Sequence, residues 1–443
     1  MAESFDLVVK NGTLVTPGGR VQADLGVRAG RIVALGDLGR AAAAETVDAA
    51  GLHVLPGVID SQVHFREPGL EHKEDLATGT RAAVAGGVTA IFEMPNTKPL
   101  TVTRAALQDK LDRAAGRAWC DYAFYVGGTP GNPHDLADLE EQPGCAGVKI
   151  FMGSSTGDLL VEEDAMIDAV LAHGRRRVAV HAEDEPLLRE RRALLGDNPH
   201  PRLHPLWRNE DVCLRATERL LALAIKRRRR VHVLHVTTAQ EIDLLGRHKD
   251  LATVETTPNH LTMAAPECYD RLGTYAQMNP SVKGPEHRER LWRGIAEGII
   301  DVIGSDHAPH TREEKDKPYP NSPSGMTGVQ TLVPVMLDHV AAGRLSLERF
   351  VDLTSAGPAR IFNIAGKGRL AIGYDADLTL VDLKARREIT DSWIESRCGW
   401  TPFHGMTVTG WPMATVVRGR IAMRDGAILG QPSGEAVRFL ETL

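Results

Sequence analysis

The sequence predicts a parallel (β/α)8 barrel with β-rich segments at both ends of the chain, and three observations carry that prediction. Short apolar runs alternate with amphipathic helical stretches through the middle; eight such runs follow one another; and the two ends read as short strands and tight corners. A doubly wound open sheet is the competing arrangement, yet no GxGxxG follows a strand, and no repeat at solenoid periods is visible. With 443 residues the chain exceeds what one ordinary core supports, so one large unit and a smaller one are expected.

Taken in order, residues 6–10 and 13–15 read as strands around an Asn11-Gly12 corner, and residues 24–28 and 31–35 repeat the pattern around Ala29-Gly30. Both are hairpin signals, because such pairs accept the left-handed backbone of a two-residue turn. The barrel pattern begins at 58–60 and continues with a helix over 76–85, a strand over 89–93 and a helix over 104–113. Strands at 122–126, 147–150 and 178–181 follow, the last ahead of a long helical stretch. A strand at 231–235 precedes a helix over 239–246, and strands at 253–255 and 302–306 complete the eight. The tail returns to β texture at 376–381, 414–418 and 421–424, with a corner at Gly419.

Composition narrows the function classes. Hydrophobic content of 42% and charged content of 25% are those of a soluble globular protein, and with aromatics at 5% the core falls to Ala, Val, Leu and Ile. A net charge of −6 leaves no basic field for nucleic acid. The one basic run, Lys226-Arg227-Arg228-Arg229-Arg230, closes an apolar helical pattern, where cations suit the helix C-terminus. Cysteines at 120, 145, 213, 268 and 398 form no CxxC and fit a reducing compartment. The acidic start, Met1 to Asp6, lacks an apolar signal region, and no run approaches the ~20 apolar residues of a membrane span. A cytoplasmic protein with neither nucleic-acid nor membrane partners is expected.

Polar residues at strand ends point to the chemistry. Strands buried on both faces should be apolar throughout. Here His64 follows the first run, Lys149 lies in the fourth, His181 and His235 end the fifth and sixth, and Asp306 ends the eighth. In a (β/α) barrel those ends share one rim, which carries the active site. Any one such histidine reads as a satisfied core residue. Five groups gathered at one rim would leave several buried polar atoms unpaired, and ligation of a catalytic zinc removes that penalty. For Lys149, flanked by apolar positions, two readings stand: a lysine snorkelling to water, or a neutral amine that takes up carbon dioxide and bridges metals as a carbamate. For Asp306, helix capping competes with ligation and proton transfer, and Pro309 argues against a helix starting there.

The segments 56–60 and 64–69 (His64-Phe65-Arg66-Glu67-Pro68-Gly69) resemble the opening metal motif of the cyclic amidohydrolases, dihydroorotases in particular. Further matches are Glu93-Met94-Pro95-Asn96-Thr97, Gly147-Val148-Lys149-Ile150-Phe151, His181-Ala182-Glu183, His235-Val236-Thr237-Thr238, Met278-Asn279-Pro280 and Ser305-Asp306-His307-Ala308-Pro309-His310. They run in the family's order over nearly the whole chain. The resemblance implies a TIM-like barrel over residues 56–365 and a composite β-sandwich built from residues 1–55 plus 366–443. It also implies a carboxylated Lys149 and one or two Zn2+ on His64, Lys149, His181, His235 and Asp306. Asp306 is then the catalytic residue, and Arg66, Asn96, Asn279 and His310 bind a small-molecule substrate carrying a carboxylate. The implied reaction is the reversible hydrolysis of L-dihydroorotate to N-carbamoyl-L-aspartate in pyrimidine biosynthesis, by a homo-oligomer, dimer or tetramer.

One departure stands out. The family's opening motif is His-x-His, and this sequence reads Gln62-Val63-His64. A neutral amide oxygen is a poor zinc ligand beside imidazole. Two metals with one weakened, a single metal, or a degenerate enzyme are the three states this leaves, and the completeness of the other ligands favours one or two zincs with activity retained. Allantoinase or hydantoinase activity, or a non-catalytic paralogue serving as an assembly partner, are the alternative functions. Residues 311–324, polar and Pro-rich after the last ligand, are expected to wall the site, with Gly325 presenting backbone groups.

Overall fold

The computed structural model describes residues 4–154 and 159–442; the first three residues of the acidic N-terminal stretch lie outside that range. Eight strands form the barrel: Val58–Val63, Val88–Glu93, Asp121–Gly127, Cys145–Phe151, Val178–His181, Val231–Val233, Ala252–Thr256 and Val302–Ile303. They are hydrogen-bonded in chain order, each parallel to the next. The first and eighth meet through a parallel bridge between Val63 and His307, where the His64 N–H donates to the His307 carbonyl at 2.7 Å. All eight runs read from the sequence are strands, and the barrel with an added sheet unit is the predicted fold class.

Two mouths of the barrel are treated differently. At the N-terminal mouth the last residues of the chain form a plug. The Tyr122 N–H donates to the Glu435 carbonyl and the Val437 N–H to that of Tyr122. Phe362 and Phe439 stack edge-on against Phe92, with centroids 5.3 and 5.7 Å away. The C-terminal mouth is left to the polar strand ends.

Outside the barrel, strands from both chain ends share one seven-stranded sheet, with Leu378–Glu388 antiparallel to His53–Pro56. A four-stranded sheet faces it, and Leu7, Val27, Ile32, Val54, Leu380 and Val416 from the two sheets pack in one buried cluster. This is a β-sandwich. The Ala29-Gly30 corner is the expected two-residue hairpin, with φ of 49° and 74° and Arg28 paired to Arg31.

The Asn11-Gly12 corner corrects the hairpin expectation. Phe5–Lys10 pairs with Asp24–Arg28 and Ala43–Asp48, whereas Thr13–Thr16 pairs with Gly19–Gln22 and His53–Pro56 in the other sheet. The corner passes the chain between sheets. Asn11 holds it, its backbone N–H donating to Asp24 Oδ1 and its side-chain amide to Asp48 Oδ1, both at 2.9 Å. A Cβ at Gly12 would lie 2.7 Å from Val54 Cγ2, so only glycine passes there. Left-handed residues between alternating apolar runs look alike whether the chain folds back or crosses over.

The helix over 76–85 forms with those bounds, closed at its start by an Asp75–Thr78 capping box. The long helical stretch after the fifth strand is broken instead, into Glu185–Arg191, short turns around Pro201 and Pro205, and Glu210–Arg227. At the end of that last helix Lys226 and Arg227 pair with Asp168, and Arg229 pairs with Glu140. All five cysteines are buried and free. Among the described residues no helix is long and apolar enough to cross a membrane.

Candidate active site

The rim collects the residues the sequence singled out. Gln62, His64, Lys149, His181, His235, Asn279, Asp306 and Gly325 line one small cavity at the C-terminal mouth. His235 and Asp306 stand just past their strands, at φ 39° and 50°, in the left-handed region that turns a side chain from the strand path toward the axis. Lys149 reaches the interior through an irregularity. Between the third and fourth strands the register shifts, so that Phe124 and Tyr125 face Cys145 and Gly147, and Ala146 is the extra residue. One inserted residue changes which face the later side chains meet. Ala146 packs in the barrel interior, Val148 and Ile150 pack outward, and Lys149 points in.

Lys149 is 1% exposed, and its ammonium lies 4.4 Å from the Phe151 ring centroid. Burial pulls its pKa down to about 7, against the pull of the Asp306 and Glu255 charges. Near neutral pH the amine is therefore substantially uncharged, the state that reacts with carbon dioxide.

His181 and His235 aim at each other, Nδ1 to Nε2, at 3.0 Å. The far nitrogen of His181 donates to Glu183 Oε2 at 3.0 Å, which leaves Nδ1 as the bare lone pair. Glu183 is held in turn by the Arg208 guanidinium at 2.9 Å; burial opposes its charge, but Arg208 and His181 outweigh that and bring its pKa down to about 2. Across the cavity, His64 Nδ1 contacts Asn96 Oδ1 at 2.8 Å, which makes Nδ1 the donor and points the Nε2 lone pair at Asp306 Oδ1, 3.3 Å away. Burial depresses the His64 pKa, against the pull of the Asp306 carboxylate. Gln62 Nε2 donates to the same Asp306 oxygen at 3.0 Å.

A larger cavity, about 560 Å3, is lined by Arg66, Asn96, His310, Lys73, Lys98 and Pro323; Asn96 bonds His64 and His310 bonds Ser324 of the first cavity's wall. Arg66 is 2% exposed, its Nε donating to the Pro309 carbonyl at 3.2 Å, and burial lowers its pKa to about 10. Among the described residues no carboxylate lies within ion-pair reach of it; Glu67, its sequence neighbour, pairs with Arg113 and Arg117 instead. His310 Nδ1 accepts from Lys73 at 3.1 Å and Nε2 donates to the Ser324 carbonyl at 3.1 Å. The segment 311–324 opens with a short helix, Arg312–Lys315, capped by Thr311 rather than by Asp306. Lys315 fastens its far end, donating to the carbonyls of Pro323 and Gly325. At Gly325, φ is 149° and a Cβ would sit 2.4 Å from the Ala308 carbonyl oxygen.

Three contributors were not legible as such. Glu183 stands in a quoted motif without a role, and Arg208 and His204 carry no local signal. His204 Nε2 donates to Asn279 Oδ1 at 3.1 Å and to the Met278 carbonyl at 3.0 Å, so Asn279 is left to present its amide hydrogens. The partners are far apart in sequence, and only the closed barrel joins them. A separate trio, Asp121, Asp375 and Asp377, is spaced for an ion, but the Lys367 ammonium sits among the three carboxylates.

The sequence pattern of the Amidohydrolase family matches residues 53–422. The chain belongs to the amidohydrolase family. A dihydroorotase of Halobacterium salinarum is 38% identical over 395 residues, spanning 88% of this chain and 91% of that protein. An allantoinase of Deinococcus radiodurans is 34% identical over 450 residues, spanning 98% of this chain and 99% of that protein. The solved structure of an L-hydantoinase (dihydropyrimidinase) from Arthrobacter aurescens superposes with a TM-score of 0.91 at 31% identity, covering 98% of this chain and 99% of that one. The family expected from the sequence is thus the family found, and this amidohydrolase is an enzyme of the cyclic-amide kind.

Proposed function

We propose that this amidohydrolase is a zinc-dependent dihydroorotase, interconverting L-dihydroorotate and N-carbamoyl-L-aspartate in pyrimidine synthesis. The observation that carries the reading is Arg66, a buried guanidinium without a carboxylate partner among the described residues, facing a cavity whose wall adds Lys73 and Lys98. A buried cation left uncompensated is costly, and a substrate carboxylate removes the cost. Dihydroorotate carries that group; allantoin and hydantoin do not.

The rim suits a zinc ion. His181 Nδ1 and His235 Nε2 converge at 3.0 Å, near the about 3.3 Å between two nitrogens on one tetrahedral zinc. Lys149, as a carbamate, would complete the ligands. Zinc bound there lowers the pKa of water and polarises a carbonyl.

The remaining work belongs to the chain. Arg66 binds the substrate carboxylate, with His310 and Asn96 beside it; the Asn279 amide donates to the ring. Asp306 takes a proton from the attacking water at its carboxylate and delivers it to the ring nitrogen as the C–N bond breaks and the C–O bond forms. In the cyclising direction Asp306 takes the proton back from the ureido nitrogen. The test is turnover by purified, zinc-loaded protein of dihydroorotate, N-carbamoyl-aspartate, allantoin and hydantoin. Turnover of the first two is expected to dominate. Turnover of allantoin or hydantoin alone, or of none, overturns the assignment.

A further inference from the structure

We propose that Gln62 makes this a one-metal centre: its amide N–H satisfies the Asp306 carboxylate at the position where a second cation would otherwise sit. The inference rests on the zinc-hydrolase reading above and specifies the metal content of that site.

The two halves of the rim cavity differ in what competes for their donor atoms. On the His181–His235 side nothing does. Glu183 and Arg208 lock the His181 tautomer with its lone pair inward, and no other side chain among the described residues bonds to the inner nitrogen of either ring. On the other side Asp306 Oδ1 is already an acceptor, 3.0 Å from Gln62 Nε2, with His64 Nε2 3.3 Å away. The one atom of Gln62 able to bind a metal, Oε1, is buried and has no hydrogen-bond partner among the described residues.

For Gln62 to become a ligand its amide must turn over. That places an oxygen where the N–H was, against the Asp306 carboxylate, and forfeits a charge-assisted hydrogen bond. In exchange the metal receives a neutral amide oxygen, weak for zinc beside imidazole. Gln62 is 1% exposed, so its side chain has no open path into water. The protein therefore meets with an amide N–H the Asp306 oxygen that a second zinc would otherwise engage. Asp306 is left as a proton-handling group held by Gln62, and His64 as its neighbour.

The test is zinc content of the full chain, loaded with excess zinc in bicarbonate, freed of loose metal by gel filtration and measured by elemental analysis. One zinc per chain is expected in the wild type and none in His181→Ala. Gln62→His and Gln62→Glu, which each supply a ligand without the competing donor, are expected to rise to two; circular dichroism and thermal unfolding check that both fold. Two zincs in the wild type would overturn the inference while leaving the hydrolase reading intact. One zinc in the wild type that stays at one in both Gln62 variants would remove Gln62 as the cause. No zinc, with no turnover of dihydroorotate, would overturn the functional reading and this inference together.

Discussion

Lys149 and Lys367 are both buried lysines of one molecule, yet they sit in opposite surroundings at opposite ends of the barrel. Lys367, below the start of the third strand, lies among Asp121, Asp375 and Asp377, 2.5 Å from Asp377 and 3.2 Å from Asp375, and Arg418 joins Asp121 at 3.0 Å. Burial works against its charge, but the three aspartates outweigh burial and push its pKa up. Lys149, near the end of the fourth strand, has an aromatic face beside it and no carboxylate in ion-pair reach among the described residues, and its pKa falls to about 7. Burial of a cation does not by itself mark function. The compensated ammonium is architecture, tying the tail and the sandwich to the barrel base; the uncompensated one is available for chemistry.

That contrast can be broken at either end. The largest effect is expected from Lys149→Ala, which removes the proposed carbamate ligand: kcat/KM for dihydroorotate should drop about a thousandfold or more, several kcal/mol of lost metal stabilisation. Retained turnover would make Lys149 as structural as its counterpart. Lys367→Met should instead act on stability, by about 3–5 kcal/mol, because three carboxylates lose the cation at their centre. Urea unfolding measures it, and turnover per folded molecule at 25 °C should be preserved; a catalytic loss without a stability loss would reverse the two roles.

Smaller effects sharpen the picture at the rim. Glu183→Gln weakens the partner that fixes the His181 tautomer, and zinc affinity in chelator competition should fall about 10–100-fold. An unchanged affinity would mean the tautomer is set elsewhere. A separate effect is a pH dependence of the metal-free protein. Between pH 7 and the ordinary lysine value of 10.5 the unfolded chain holds a proton on residue 149 that the folded chain has released. Folding stability relative to Lys149→Met should therefore rise with pH across that interval, with the full burial penalty present below pH 7. A flat difference in urea midpoints from pH 7 to 10 would count against a depressed Lys149.

Much of the architecture was legible because it is local. Eight apolar runs became eight parallel strands, and the helix over 76–85 has the bounds its pattern suggested. The strand-end residues His64, Lys149, His181, His235 and Asp306 do gather at one rim, since a parallel barrel leaves them nowhere else to meet. The Asn11-Gly12 crossover was missed because a hairpin and a sheet change share one local signature.

From its sequence alone this protein determined an alternation of strand and helix periods, a set of ligand-type residues in order, and a family. The tertiary structure decided the rest: that an extra residue at Ala146 turns Lys149 inward, that Glu183 and Arg208 choose the bare nitrogen of His181, that Lys367 is paired, and that Gln62 offers Asp306 a donor. Sequence periodicity reports on neighbours a few residues away. Charge compensation and hydrogen-bond polarity depend on groups brought together from distant strands, and those exist only once the barrel has closed.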